Sequence, residues 1–402
     1  MSDPVPTLVL YADYTNRLSY YDDWLDAFRE FPDFATTAVN ICQRGARRSL
    51  AKRIKEFDLI VLLHSTNADT LIYVDPFKSL LQDRRGKLVS FVGNEFNSPG
   101  TPISARIALL ADINADFIAT QLPLEAGAWL YEECGAQVVA LPHALNPTAF
   151  RATANSEQRP VDLGTRSARY IAYLGDNDRV RLFDLFESHE FDPDLVVDIS
   201  TSERLTRDGW CAFLNRCKGT FANEAGSFYL ERDDRTINEI RSYVMAGQKR
   251  RGGFVITNDS PLRRIGHMLP WRIKSALRPI LSRGVVRHEM LMNEALDFEE
   301  IYDRFFRDQP RASVYAKAIS SRHFDAIGTH TCQILLEGRY NDILRPGEHY
   351  LSLAANFGNL SAVMEEFQDP KRRNAIARAA HELAMEAHTH RHRVAAIHAL
   401  VS

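Results

Sequence analysis

The sequence predicts a doubly wound α/β protein of two domains followed by a helical C-terminal tail. Three features support this: short apolar runs that recur along the chain, amphipathic stretches between them, and one polar break near residue 150. In the first 150 residues the runs are 7–12 (TLVLYA), 37–41 (TAVNI), 58–64 (DLIVLLH), 87–92 (KLVSFV), 115–120 (ADFIAT) and 137–141 (QVVAL). Each is rich in apolar residues yet too short for a buried helix, which is the pattern of strands covered on both faces in a parallel sheet. Helical spacing lies between them. In 20–31 (YYDDWLDAFREF) Tyr21, Trp24, Leu25 and Phe28 share a face, and 124–134 (LEAGAWLYEEC) follows Pro123.

Residues 151–169 (RATANSEQRPVDLGTRSAR) have no hydrophobic period and are expected to link domains at 1–150 and 170–370. Alternation resumes at 170–174 (YIAYL), 195–199 (LVVDI), 219–222 (GTFA), 253–257 (GFVIT), 312–316 (ASVYA), 332–336 (CQILL) and 350–353 (YLSL). From Asn359 onward the pattern is helical, and 371–402 is the expected tail. Two such domains leave one natural place for a ligand, the crevice at the strand C-terminal ends.

The composition narrows the class. With 402 residues, 45% of them hydrophobic, and a formal net charge of −3, the chain is globular and not disordered. No apolar run approaches the roughly 18 residues of a spanning helix, and the charge balance argues against a general nucleic-acid binder. Cys42, Cys134, Cys211, Cys217 and Cys332 are scattered, without a C-x-x-C pair, so neither a disulfide framework nor a zinc ribbon is expected. The start, MSDPVPTLVLYADY, lacks the features of a secretory signal, and the expected location is the cytoplasm.

Polar residues just after parallel strands lie at the ligand-facing edge of a sheet. In the first domain these are Asp13, His64 with Ser65, Asn94 with Glu95, Gln121, and His143 with Asn146. In the second they are Gly175 with Asp176, Asn223 with Glu224, Asn258 with Asp259, and Glu337. Residues 221–227 (FANEAGS) add a small-residue turn, which either lets backbone N–H groups approach an anionic or hydroxylated ligand or is an ordinary β-turn. In 320–340 (SSRHFDAIGTHTCQILLEGRY), Ser320 or Ser321 is placed to cap a helix carrying Arg322, His323 and Asp325. A cation at a helix N-terminus is unfavourable alone but makes sense facing a bound phosphate. A carboxylate one turn on would hold a ribose. The alternative is a surface Arg–Asp pair.

Residues 319–353 (ISSRHFDAIGTHTCQILLEGRYNDILRPGEHYLSL) resemble the C-terminal signature of the glycosyltransferase family 1/CgeB-like group of bacterial GT-B glycosyltransferases. The likeness runs through Arg322, Phe324, Glu337, Gly338, Tyr340, Ile343, Leu344, Pro346, His349 and Tyr350, with Phe357 and Asn359 downstream. Glu224, Gly226 and Ser227 are similar to the group's A-E-S-G-S element, and VGNEF (92–96), QLP (121–123) and LPHALN (141–146) extend it into the first domain. The resemblance implies two Rossmann-like domains facing across a cleft. It also implies transfer of a sugar from a nucleotide-sugar donor, held mainly by the second domain, to a glycan or lipid-linked acceptor. Binding would fall to Arg322, Asp325, Ser321, Glu224, Gly226, Ser227, Glu337, Gly175 and Arg179. Should the reaction invert, a base would come from Glu95, Asp13 or His64, with Glu95 preferred. The chain departs from the group where Asp325 replaces Glu and Ser321 replaces Pro, and no E-x7-E motif exists because Ala318 stands seven before Asp325.

Breaking the anomeric C–O bond leaves charge on a nucleoside diphosphate, which GT-B folds usually offset with helix N-termini and Arg or Lys. No D-x-D follows a strand; Asp192-Pro193-Asp194 precedes one. A metal-free, cofactor-free transferase is therefore expected. Between Lys249 and Arg287, ten basic residues face Asp259 alone. That segment suits the inner face of an anionic membrane bearing a lipid-linked acceptor, or else a solvated insertion or a basic wall attracting the donor. The histidines His381, His388, His390, His392 and His398 are expected on a solvated helix end, because alternate spacing scatters metal ligands around a helix. The expected function is sugar transfer in synthesis of a surface polysaccharide or other glycoconjugate. The alternatives are a GT-B-fold sugar-nucleotide epimerase and a degenerate, non-catalytic binding subunit.

Overall fold

A computed structural model describes residues 3–13, 19–188, 194–203, 205–251, 254–256, 286–288 and 296–402. The first lobe holds strands β1 (Val5–Tyr11), β2 (Phe34–Asn40), β3 (Leu59–Leu62), β4 (Lys87–Phe91), β5 (Phe117–Thr120) and β6 (Gln137–Ala140). They lie in the order β2-β1-β3-β4-β5-β6, every pair parallel. Burial explains why these runs are apolar without alternation. Leu8, Leu10, Ile60 and Leu62 enter one core, while Val9, Leu59, Val61 and Val89 enter the core on the other face.

The second sheet begins with β7 (Val161–Arg166), β8 (Val197–Ser200) and β9 (Cys217–Ala222). Two short pairs follow, β10 (Ala225–Gly226) antiparallel to β13 (Lys317–Ala318) and β11 (Phe254–Ile256) parallel to β12 (Val286–His288). Strands β14 (Cys332–Leu336) and β15 (Leu351–Leu353) complete an all-parallel sheet ordered β15-β14-β9-β7-β8. Both sheets thus share one plan. The strand order reverses between β1 and β3 in the first and between β7 and β9 in the second, and each reversal opens a crevice at the strand ends. The α/β architecture expected from the sequence is the one observed.

Three stretches differ from expectation. The polar stretch 151–169 contains β7, the strand that pairs with both β8 and β9. Its polar letters are satisfied sideways: Asp162 pairs with Lys218 at 2.7 Å, and Arg166 with Asp198 at 2.7 Å and Glu203 at 2.6 Å. Residues 170–174 form a single turn of 3-10 helix at Ala172–Leu174, because Ala172 and Tyr173 pack into an aromatic cluster with Tyr229 and Phe306. Residues 312–316 form no strand; pairing starts one residue later, at β13.

Three helices end the chain, Leu360–Gln368, Pro370–Ala387 and His390–Val401. The last of these returns to the first lobe, where Val394 and Ile397 share a core with Trp24 and Phe28. The chain enters it through paired bonds, Leu145 N–H to His388 O at 2.8 Å and His390 N–H to Leu145 O at 3.0 Å. The histidine-bearing end is therefore packed, not solvated. His390 lies 4.8 Å from the Trp24 ring and His398 lies against Phe31 and Phe34. Burial pushes the His390 pKa down to about 3, so its ring is neutral and packs as an aromatic.

The lobes are joined by polar side chains that cross the seam. Asp234 of the second lobe accepts from Asn97 Nδ2 at 2.7 Å and from the backbone N–H groups of Ile103 (3.2 Å) and Ser104 (2.8 Å). It thereby caps the first-lobe helix Ile103–Asp112 in place of that helix's own Pro102, which has no side-chain acceptor. Arg207 bridges to Asp23 at 3.0 Å and Asp26 at 2.9 Å, and Asn341 Nδ2 donates to Gln121 O at 2.9 Å. No helix among the described residues is long and apolar enough to cross a membrane, and Cys134, Cys211, Cys217 and Cys332 form no disulfide. Most of the segment from Lys249 to Arg287, together with Asp192, Pro193, Asn258 and Asp259, lies outside the described residues. Replacing Asp234 with Ala strands two helix N–H groups and Asn97. Chemical denaturation of Asp234→Ala should show a loss of about 2 kcal/mol.

Candidate functional site

The crevice between β7 and β9 is lined at its rim by Thr165, Ser167, Arg179, Asn223, Ser320 and Arg322, with Trp210 as a wall and Leu182, Phe183 and Phe221 beneath. Two helices begin here, Asp178–Ser188 and Ser321–Gly328, and each presents an arginine from its first turn.

Ser320, not Ser321, is the cap of the second helix. Its N–H donates to His323 Nδ1 at 3.0 Å. Burial, together with the charges of Arg322 and Arg179, lowers the His323 pKa to about 3, so the ring stays neutral and its Nδ1 remains an acceptor. With the turn fixed in this way, the Arg322 guanidinium reaches across the crevice to donate to the Ser167 hydroxyl.

Arg179 is only 9% exposed. Its Nε donates to Asn223 Oδ1 at 3.2 Å, and its guanidinium sits 3.8 Å from the Tyr170 ring centre. Among the described residues no carboxylate lies within ion-pair distance of Arg179. Asn223 Nδ2 and Gln333 Oε1 are buried in the same crevice without a hydrogen-bond partner. Two guanidiniums at two positive helix ends repel each other and the helix dipoles. An anion placed between them reverses the sign of every one of those terms.

Several expected residues fall elsewhere. Asp325 is buried with its Oδ2 accepting from Trp210 Nε1 at 3.0 Å, behind the crevice wall. Burial, with the nearby Asp23 charge adding to it, holds its pKa well above the usual carboxylate range. Glu224 is a clasp: it accepts from Tyr340 N–H at 2.7 Å and from the Tyr315 hydroxyl. Gly226 has φ +106 and sits against Ala316 O, where a Cβ would lie 2.4 Å away, so it is glycine for backbone reasons. Gly175, at φ +61, lies against the Phe306 ring in the same way. Ser227 donates to Leu174 O at 2.6 Å, while Glu337 is exposed beyond β14 and Ser321 only flanks the cap.

The first-lobe candidates are corrected more sharply. Glu95 accepts from Thr120 Oγ1 at 2.6 Å, Gln121 N–H at 2.6 Å and Tyr131 OH at 2.7 Å, all within its own lobe. Such a carboxylate ties β5 to the turn after it, with three of its roughly four acceptor positions engaged inside the lobe. His64 is fully buried among Trp24, Phe91 and His143, and burial drives its pKa well below the usual range. Asp13 is exposed at the exit of β1, its N–H donating to Asn40 Oδ1 at 3.2 Å.

Other residues were not singled out by the sequence. Ser167 follows a strand hidden by polar letters, Trp210 sits mid-helix, and Gln333 lies inside β14. Asp23 was visible only as one acid in an amphipathic helix. Asn223, in contrast, stood in plain view at a strand end.

Residues 300–399 match a family model described as glycosyl transferase-like, and this stretch covers the segment whose resemblance was noted above. No curated protein matches the sequence. Among solved structures, the chain is similar at 9% identity and TM-score 0.48 to Anabaena HepE in complex with UDP-glucose, covering 98% of this chain and 100% of that one. It is also similar to the N-terminal domain of Candida albicans trehalose-6-phosphate phosphatase, at 9% identity and TM-score 0.46 over 100% and 97%. A third is the pneumococcal O-GlcNAc transferase GtfA in complex with UDP and GlcNAc, at 12% and 0.40 over 88% and 58%.

The Glu95 assignment can be checked directly. Glu95→Gln replaces one carboxylate oxygen by an NH2 that must face at least one of the three donors, so the melting temperature should fall by an amount equivalent to about 2 kcal/mol while nucleotide affinity stays at the wild-type value. Asp23 supplies a pH test. Burial, opposed by Asn146 and Arg207, pushes its pKa up to about 6. An acid whose pKa is raised on folding favours the folded state at low pH, and that contribution is lost as pH rises from about 4 to 6. The stability of Asp23→Asn relative to wild type should therefore increase over that interval, by up to about 3 kcal/mol, and stay level above it.

Proposed function

We propose that this protein is a glycosyltransferase that holds a nucleotide-sugar donor in the second-lobe crevice and passes the glycosyl group to a glycan or glycoconjugate acceptor. One observation supports this above the rest: Arg179 and Arg322 converge from two helix N-termini on one crevice that also holds buried polar atoms without partners. The departing group of a nucleotide sugar is a diphosphate. As the anomeric C–O bond lengthens, negative charge grows on the bridging oxygen, and two fixed guanidiniums with helix N–H groups stabilise it without a metal ion. Ser167, held by Arg322, and Asn223, held by Arg179, offer further hydrogen bonds at the same rim. We place the activity in the cytoplasm, on acceptors of a surface-polysaccharide kind.

A second reading is favoured by one observation. Glu95 and His64 are both engaged inside the first lobe, which suits a nucleotide-binding subunit without turnover. Calorimetric titration with UDP, GDP and dTDP separates the outcomes. The transferase reading expects one diphosphate to bind, with affinity falling at least about tenfold in Arg179→Ala and in Arg322→Ala. Release of that diphosphate from its sugar conjugate only when acceptor is present marks a transferase. Acceptor-independent turnover marks an epimerase, and binding with no turnover marks the subunit. Failure to bind any of the three would end the proposal.

A further inference from the structure

The turn that leads into the Arg179 helix carries a buried charge cluster that sugar-transfer chemistry does not itself call for. Lys317, on β13, is 3% exposed. Its Nζ lies 2.6 Å from Asp176 Oδ2 and 2.6 Å from Asp178 Oδ2, and 3.9 Å from the centre of the Phe228 ring. Burial alone would drive the ammonium toward its neutral form, but the two carboxylates outweigh it and the Lys317 pKa is raised. The cluster thus sets one amino group against two carboxyl groups.

Its position gives it a purpose. Asp176 Oδ1 accepts from the Asp178 N–H at 3.1 Å, which shapes the first turn of the helix that carries Arg179. On its other side, Lys317 pairs through β13 with Gly226 of β10, in the loop that begins at Asn223, the residue that accepts from Arg179. One lysine thus joins the turn that presents Arg179 to the loop that orients it. The same lysine cancels one of two negative charges standing beside an anion site.

Resting on the donor-binding reading above, we propose that Lys317 is a positioning residue of the crevice: it fixes Arg179 toward the diphosphate, and the charge of its cluster sets how strongly the crevice attracts that anion. The two carboxylates order the turn at an electrostatic cost, and Lys317 limits that cost. Asp178 is the member that can be neutralised most gently, since its side chain is 23% exposed and Asp176 still faces the ammonium at 2.6 Å.

The experiment is a titration of wild type, Lys317→Met, Lys317→Arg and Asp178→Asn with whichever of UDP, GDP and dTDP the wild type binds, at low and high salt. Lys317→Met should weaken binding about tenfold, and Lys317→Arg should stay within about threefold of wild type. Asp178→Asn should tighten binding by about threefold at low salt, with the gain shrinking at high salt. A merely structural role predicts the opposite for Asp178→Asn, because removing a partner of Lys317 loosens the turn. Weaker or unchanged binding in Asp178→Asn, or wild-type binding in Lys317→Met, overturns the inference while leaving donor binding intact. Should Lys317→Met fail to fold, the sign of the Asp178→Asn effect still decides. A wild type that binds none of the three diphosphates overturns the donor-binding reading and this inference together.

Discussion

Like charges brought together at positive helix ends are the constraint on which the second lobe is built. Arg179 and Arg322 each stand in the first turn of a helix, within reach of one neutral histidine, and such an arrangement is stable only if its surroundings offset the repulsion. The protein does so with neutral oxygens and a ring face at short range: Ser167, Asn223 and the Tyr170 ring. Carboxylates are held one step back, at Asp176 and Asp178, where Lys317 shields them. A carboxylate in direct contact with Arg179 would satisfy it permanently and oppose an anionic ligand there. The placement leaves electrostatic attraction for a ligand while keeping the empty fold stable.

The seam between lobes follows a different logic. There the charges are paired or used as caps: Asp234 closes a helix of the opposite lobe, and Arg207 spans Asp23 and Asp26. The last helix crosses back to pack on Trp24, so the end of the chain completes a core of the first lobe. Buried histidines fit this seam because burial keeps them neutral. His64, His143 and His390 are ring-shaped packing units around Trp24, not a reservoir of charge.

Much of the candidate crevice was legible, for identifiable reasons. Arg322 stood out because a basic residue directly after a Ser-Ser cap is an electrostatic anomaly, and anomalies of charge can be read from letters. Arg179 and Asn223 stood out because strand ends are marked by where apolar runs stop. Glu95 and Asp325 stood out by the same method, and the structure places them away from the crevice lining. Both follow the expected motif, but whether a carboxylate faces an opening or is closed off by Tyr131 or Trp210 depends on residues 36 and 115 positions away. Strand β7 escaped for a related reason, since its charges are neutralised by partners on neighbouring strands that no local window contains.

The chain's letters alone determined the parallel sheets and the helical ending, because runs of residues buried on both faces leave a signal within a few positions. They also determined that a cation stands at the start of the helix after Ser320. Tertiary structure alone decided which polar groups converge. It brought Ser167, Arg179, Asn223 and Arg322 to one rim, set Lys317 against the turn that precedes Arg179, and folded the histidine-bearing helix onto the opposite lobe. The physical reason is range: burial periodicity is a property of neighbours in sequence, whereas the field at a binding site sums over charges that only the fold makes neighbours.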